Sequence, residues 1–280
     1  MVIIKKSVTI WAIEGGVDGK YDVNQAANLL NNVGFNSVEL SVSQGGIINV
    51  NSSIDEIQHI KKKFDEKGIM ISSLSTLLFN QVSITSTNYD EKAFALKLAN
   101  KMLEMASIAE IPTIQISPGR VTDTEDYKNV YYIAIKECIV LSKRAKELGV
   151  LLTVENDWQN FLLSPLEFSR FIDDVNERNF GVCFDTGNSA LYGFPEQWIN
   201  ILGNKIKKVH LTDLRITHKF FPKFCDINEG QLDIKNICRT LKDNGYNNYL
   251  TLEVFFQKNI ECNNRLEKLG KRLTNIIESL

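Results

Sequence analysis

Four short apolar runs each end on an ionisable residue: Leu151 to Glu155, Val182 to Asp185, Lys208 to His210 and Leu250 to Glu253. Side chains alternate across an extended strand, so Thr153 shares a face with Glu155, Cys183 with Asp185 and Thr251 with Glu253. If those faces converge, three carboxylates and one imidazole meet at one point. Like charges in a partly dry site raise one another's pKa and disfavour ionisation. A divalent cation removes that conflict. Two Glu, one Asp and one His form an oxygen and nitrogen set suited to Mn, Mg, Co or Zn, with the carboxylates favouring the harder ions. Four protein ligands would leave open positions on an octahedral ion for substrate oxygens. Singly, each residue has an ordinary alternative: a strand-end acid caps a helix or pairs with a lysine, and a lone histidine is hydrogen-bonded core. Recurrence on four successive strands points to a metal centre.

The elements that would position these groups follow from hydrophobic periodicity. Strands are predicted at 8–11, 37–40, 69–74, 113–116, 151–155, 181–185, 207–211 and 249–253. Helices are predicted at 23–33, 54–66, 91–109, 127–148, 165–175, 197–202, 234–244 and 260–279. Gly34, Gly68, Gly149 and Gly245 close helical runs ahead of strands. Ser53 and Ser164 stand at N-cap positions, the latter before Pro165. Eight βα units with no linker or shift in composition predict an α/β fold, a (β/α)8 TIM barrel forming a single domain over 1–280, with chemistry at the carboxyl ends of the strands. A doubly wound sheet is the competing architecture. Gly15, Gly16 and Gly19 lack the GxGxxG spacing and precede no immediate helix, so they do not read as its phosphate turn.

Composition narrows the function. The 280 residues carry 32 Lys and Arg against 34 Asp and Glu, a formal charge of −2, without the basic excess that a nucleic-acid partner demands. No apolar run approaches the roughly 20 residues that cross a bilayer, and Met1 to Ile10 does not read as a signal peptide. A cytoplasmic protein is expected. Cys138, Cys183, Cys225, Cys238 and Cys262 are odd in number and contain no CxxC pair, so free thiols are expected.

GFNSVELSV at 34–42, TVEN at 153–156, GVCFDTGNSALYG at 181–193, KVHLTD at 208–213 and YLTLEV at 249–254 make nearly the whole chain resemble the xylose-isomerase-like barrel family of sugar isomerases and epimerases. Within it the chain looks most like the ketose and ketose-phosphate 3-epimerases, the L-ribulose-5-phosphate 3-epimerases among them. The resemblance implies that Glu155, Asp185, His210 and Glu253 hold one divalent metal ion. It also implies that Glu155 and Glu253 move the proton, inverting carbon 3 of a ketose through an enediolate. A small-molecule ketose or ketose phosphate is the implied partner, and homo-oligomerisation stays open.

Other positions carry expectations of their own. Asn188 stands where several free-sugar epimerases have histidine, and the phosphate-ester enzymes are more like the DTGN form here. Asp213, matching a recurrent HxxD, is expected to orient His210 as a hydrogen-bond acceptor. Arg215 is a candidate to grip substrate oxygens or a phosphate. Glu39 is a candidate for sugar hydroxyls or the surroundings of the metal site, against an internal ion pair. Trp11 and Trp158 are candidates for an apolar wall along the sugar. The stretch 215–230 reads as a loop over the mouth, with a basic cluster at His218, Lys219 and Lys223. Three other readings compete. An endonuclease-IV-like three-zinc nuclease needs more histidines than His59, His210 and His218. A dehydratase of an inosose or dehydroshikimate-like ring shares the metal, and a non-catalytic sugar-binding barrel shares the fold.

Overall fold

The computed structural model describes residues 4–216 and 222–280. Among these residues ten strands form: β1 (Lys5–Thr9), β2 (Ser37–Ser41), β3 (Met70–Ser75), β4 (Thr113–Ile116), β5 (Leu151–Glu155), β6 (Phe180–Asp185), β7 (Ile206–Leu211), β8 (Asp213–Ile216), β9 (Pro222–Cys225) and β10 (Tyr249–Leu252). All but β8 and β9 join a closed parallel barrel, in which β10 pairs with β7 on one side and returns to β1 on the other. Helices α1 (Val23–Asn32), α2 (Ile54–Asp65), α3 (Tyr89–Ile108), α4 (Tyr127–Glu147), α5 (Pro165–Val175), α6 (Thr186–Tyr192), α7 (Pro195–Leu202), α8 (Ile234–Asp243) and α9 (Cys262–Glu278) occupy the connections. The expected eight-strand barrel is therefore the observed fold.

Local chemistry explains most boundaries. Ser53 and Glu56 form a reciprocal capping box at the start of α2, and Asp22, Asn88, Asp126 and Asp233 cap α1, α3, α4 and α8. Ser164 takes the N-cap position of α5 but its side chain makes no capping bond. All four helix-ending glycines carry positive φ. Three differences from expectation are informative. The first strand starts three residues before its apolar letters predict, because Lys5 and Lys6 pair with Tyr249 and Leu250 of β10, and their ammonium groups sit over the Tyr249 and Phe35 rings at 5.4 and 5.5 Å. A short helix, α6, follows β6 directly. The region read as a loop opens with an antiparallel hairpin of β8 and β9.

The two faces of the barrel wall differ in kind. Toward the helices, Val38, Leu40, Ile114, Leu152, Val154, Val182, Val209 and Leu250 are buried in one continuous apolar layer. The inward face is polar, with small hydroxyl side chains beside larger charged ones. The Ser7 and Ser72 hydroxyls pair at 2.9 Å, and Thr153 Oγ1 donates to the Ile114 carbonyl at 2.8 Å. Barrels of this kind are more often filled with branched apolar side chains. All five cysteines are free, with Cys138, Cys183 and Cys238 buried.

Candidate metal centre and active-site cavity

Glu155, Asp185, His210 and Glu253 meet at the carboxyl end of the barrel, each offering one ligand atom within 4.8 Å of the others. Register explains the convergence: Asp185 stands opposite His210 between β6 and β7, and Glu155 opposite Cys183 between β5 and β6. His210 Nδ1 faces Glu253 Oε2 at 2.7 Å and Glu155 Oε1 at 3.3 Å. Asp185 is held from several sides. Asn188 N donates to Oδ1 at 2.5 Å, Thr212 Oγ1 donates to Oδ2 at 2.6 Å, and Asn156 brackets its backbone at both N–H and C=O. The Gln115 amide donates to Glu155 Oε2.

The electrostatics of this group favour positive charge. Burial raises the Glu155 and Asp185 carboxyls above their ordinary values, and the neighbouring acids add to the effect. Burial opposes a charged His210, yet Cys183, Glu39 and Glu253 around it outweigh both burial and the Lys208 ammonium and raise the imidazole well above 6.5. Glu253 Oε2 is buried with no hydrogen bond of acceptable geometry, despite its approach to His210. Acids that gain protons and a carboxylate oxygen left without a hydrogen bond fit a cation at their centre. The residues present match the donor set for one divalent ion.

Above the group lies a cavity of about 340 Å³ lined by Glu155, Asp185, Glu253, Gln115, Asp157 and Asn188, among others. Its walls are aromatic. Trp11 is buried and stacked on Phe255, with centroids 5.4 Å apart and planes at 6°, and its indole N–H has no partner. Trp158 is half exposed and tilts against Phe224 of β9 at 5.8 Å. Both tryptophans, and Asn188, line this cavity. Gly187 is the small residue that lets Phe224 close the wall, since a Cβ there would lie 2.8 Å from its ring. Burial raises the Asp157 carboxyl to about 7, with Glu155 adding to the shift and Ser117 opposing it.

Three expected residues sit elsewhere. Asp213 does not touch His210. It accepts backbone N–H groups from Leu214, Gly230 and Leu232 at 2.7, 2.8 and 3.1 Å and so anchors the hairpin, with Gly230 too close to admit a Cβ. Arg215 is exposed, donates to the Glu229 carbonyl and lines, with Lys223, a separate outer groove. His218 and Lys219 lie outside the described residues. Glu39 is wholly buried below the ligand group, off the cavity. It pairs with Lys208 and reaches His210 Nε2 at 3.0 Å, while Ser73 Oγ donates to it at 2.5 Å.

Sequence reasoning missed Gln115, Asp157, Thr212 and Lys208. Two of them carried a signal. Gln115 is the polar letter inside the apolar strand Thr-Ile-Gln-Ile, and Lys208 is two residues before His210 and so on its face. Asp157 and Thr212 lie just beyond strand ends, where parity no longer predicts direction.

Comparison with known proteins agrees with this architecture. The profile of the xylose isomerase-like TIM barrel family matches residues 27–274. An uncharacterized protein of Methanocaldococcus jannaschii, MJ1311, is 20% identical over 210 residues, 71% of this chain and 69% of that one. Among solved structures, an L-ribulose 3-epimerase superposes with a TM-score of 0.82 at 16% identity, covering 99% of this chain and 95% of that one. A D-tagatose 3-epimerase-like protein gives 0.80 at 17% identity over 99% of both chains. A D-psicose 3-epimerase gives 0.77 at 16% identity over 98% and 97%. At these identities the structural likeness speaks to the fold.

Proposed function

This chain belongs to the xylose isomerase-like TIM barrel family, and from that premise we propose that it is a divalent-metal-dependent isomerase or epimerase of a small ketose, inverting carbon 3. The observation that carries the reading is the group formed by Glu155, Asp185, His210 and Glu253 at the floor of the cavity. A divalent ion held by these four residues would polarise the ketose oxygens and make the neighbouring C–H more acidic. Glu155 and Glu253 take the proton roles. Glu155 ends β5 and Glu253 directly follows β10, and both line the cavity where a sugar carbon would lie above the group. One carboxylate removes the proton and the other returns a proton to the opposite face. Asn188 and the free indole N–H of Trp11 are available to sugar hydroxyls, while Trp11 and Trp158 cover the sugar's carbon face and exclude water.

Charge favours an unphosphorylated substrate. Glu155, Asp157, Asp185, Asp226 and Glu253 face the cavity, and its one arginine among the described residues is already engaged. Arg265 makes a bidentate pair with Asp226 at 2.9 and 2.5 Å and donates to the Phe255 carbonyl at 2.6 Å. No helix among the described residues is long and apolar enough to cross a membrane. Incubation of the metal-loaded protein with a ketose panel in deuterium oxide is the test. Deuterium at carbon 3 with inversion and no loss of water is the expected result. Elimination of water from a cyclic polyol ketone would assign the dehydratase reaction instead, and no exchange across the panel would leave a binding barrel.

A further inference from the structure

The outer groove beside the active-site cavity concentrates charge of the opposite sign. It holds about 400 Å³ between the hairpin of β8 and β9 and helix α9, and five cations line it, Arg215, Lys223, Arg265, Lys268 and Arg272, against two acids, Asp226 and Glu229. Both acids are already engaged. Asp226 pairs with Arg265 through two hydrogen bonds, and Glu229 meets Arg272 at 3.0 Å and Lys268 at 3.9 Å. Arg215 gives an N–H to the Glu229 backbone carbonyl, and among the described residues neither it nor Lys223 pairs with a carboxylate. Three positive charges are thus left over, in a chain whose formal charge is −2. Local rules of stability run against this arrangement. Arg215 stands directly opposite Lys223 in the hairpin register, where like charges destabilise a strand pair. Lys268 and Arg272 are four residues apart on α9, where like charges destabilise a helix. Both pairs line the same groove.

We propose that this groove binds a phosphate group, free or as the monoester of a small molecule, held by Arg215 and Lys223 from the hairpin and by Lys268 and Arg272 from α9. An anion among these four side chains sets an attraction against each repulsive pair. Guanidinium groups suit phosphate, since their forked N–H donors match its oxygens two at a time. Its charge, close to two at neutral pH, answers the surplus better than a single carboxylate does. The Gln257 amide and the Phe224 ring, also in the lining, are placed for the organic part of an ester. A nucleic acid does not fit, because the basic surface is confined to this concavity. Phe224, Cys225, Asp226, Gln257 and Arg265 line the groove and the cavity alike, and beyond them stand Glu155, Asp157, Asp185 and Glu253. Those carboxylates keep the anion outside the space proposed for the ketose.

The inference does not depend on the metal reading, and calorimetric titration of the full chain in the presence of a chelator tests it alone, with no divalent ion to take the anion. Inorganic phosphate and glycerol phosphate are the probes. Saturable binding by the native protein is expected, weakening as sodium chloride is added. A charge-neutral variant, Lys223→Gln with Lys268→Gln, is expected to bind roughly tenfold more weakly, since hydrogen bonds to charged groups are lost. A charge-retaining variant, Lys223→Arg with Lys268→Arg, should keep the affinity. Equal affinity for the two probes identifies the anion alone as the ligand, and tighter binding of the ester assigns part of the recognition to the lining around it. Thermal melts give a second readout. Phosphate should raise the melting temperature of the native protein and not that of the charge-neutral variant. Without phosphate that variant should melt no lower than native, because both like-charge pairs are relieved. Native affinity in the folded charge-neutral variant, or no saturable binding of either probe by the native protein, would overturn the site and leave the metal centre untouched.

Discussion

The two faces of the barrel wall are made from the same strands and obey opposite rules. On the outer face Val38, Leu40, Leu152, Val154, Val182 and Val209 are interchangeable in type and join a single apolar layer against the helices. On the inner face Glu39, Glu155, Asp185, Lys208 and His210 are individually specified, each with a named partner. The outer face derives its stability from area, at about 25 cal/mol for each Å² of apolar surface buried. The inner face forgoes that gain and holds charge where charge is costly. Shape and chemistry are thus separated by the two-residue period of a strand.

Substitutions should therefore split cleanly by face. The largest effect is expected on the inner face, where Glu155→Gln or Glu253→Gln removes a proton-transfer group of similar size. Turnover should fall by roughly 10²- to 10⁴-fold, with a melting temperature that stays near native. Steady-state rates beside thermal melts check this; full activity in either variant would reject the two-glutamate mechanism. On the outer face Leu152→Ala should do the converse. A loss of about 2 to 5 kcal/mol in urea unfolding is expected, with the rate per folded molecule retained. If it abolished turnover in a still-folded protein, the separation of faces would fail.

Removing the ion sharpens the same contrast. Chelation should lower the melting temperature, because a ligand at 100 times its dissociation constant stabilises the folded state by about 2.7 kcal/mol. Asp185→Asn should lose most of that metal-dependent shift, and an unchanged response would move the ion elsewhere. The smallest effect concerns Asp157. Its carboxyl is raised from an ordinary 3.8 to about 7 by burial. Between those values the folded protein keeps a proton that the unfolded chain releases, so stability falls as pH rises and levels off above about 7. In metal-free protein at pH 8, Asp157→Asn is expected to be more stable than native by about 1 to 2 kcal/mol, discounted for its partial solvation. The difference should close below about pH 4, and a pH-independent difference would remove Asp157 as its source.

Legibility followed the same division. The Leu151 to Glu155 strand and the Pro165 to Val175 helix have the bounds that periodicity predicts, because each has a clear period and a sharp stop. The alternation of Thr153 with Glu155 and Thr251 with Glu253 was readable for the same reason, and with it the ligand group. Asp213 was not readable. Three residues beyond His210, it lies past the barrel strand, where the turn into β8 redirects it toward Gly230 and Leu232. Nor was the state of Glu39. Its face could be inferred, but its charged partners are on β7, far along the chain and across the barrel.

By itself, then, the sequence determined the number and order of the βα units, the shared faces of Thr153 with Glu155, Cys183 with Asp185 and Thr251 with Glu253, and which four residues at the ends of adjacent apolar runs carry ligand chemistry. These are local properties, set by period and by side-chain type. Only the tertiary structure decided which inward groups meet across the barrel: Lys208 with Glu39, Glu39 with His210, and Gln115 with Glu155. Closure of the sheet sets those pairings through register and stagger, and both depend on the whole ring of strands.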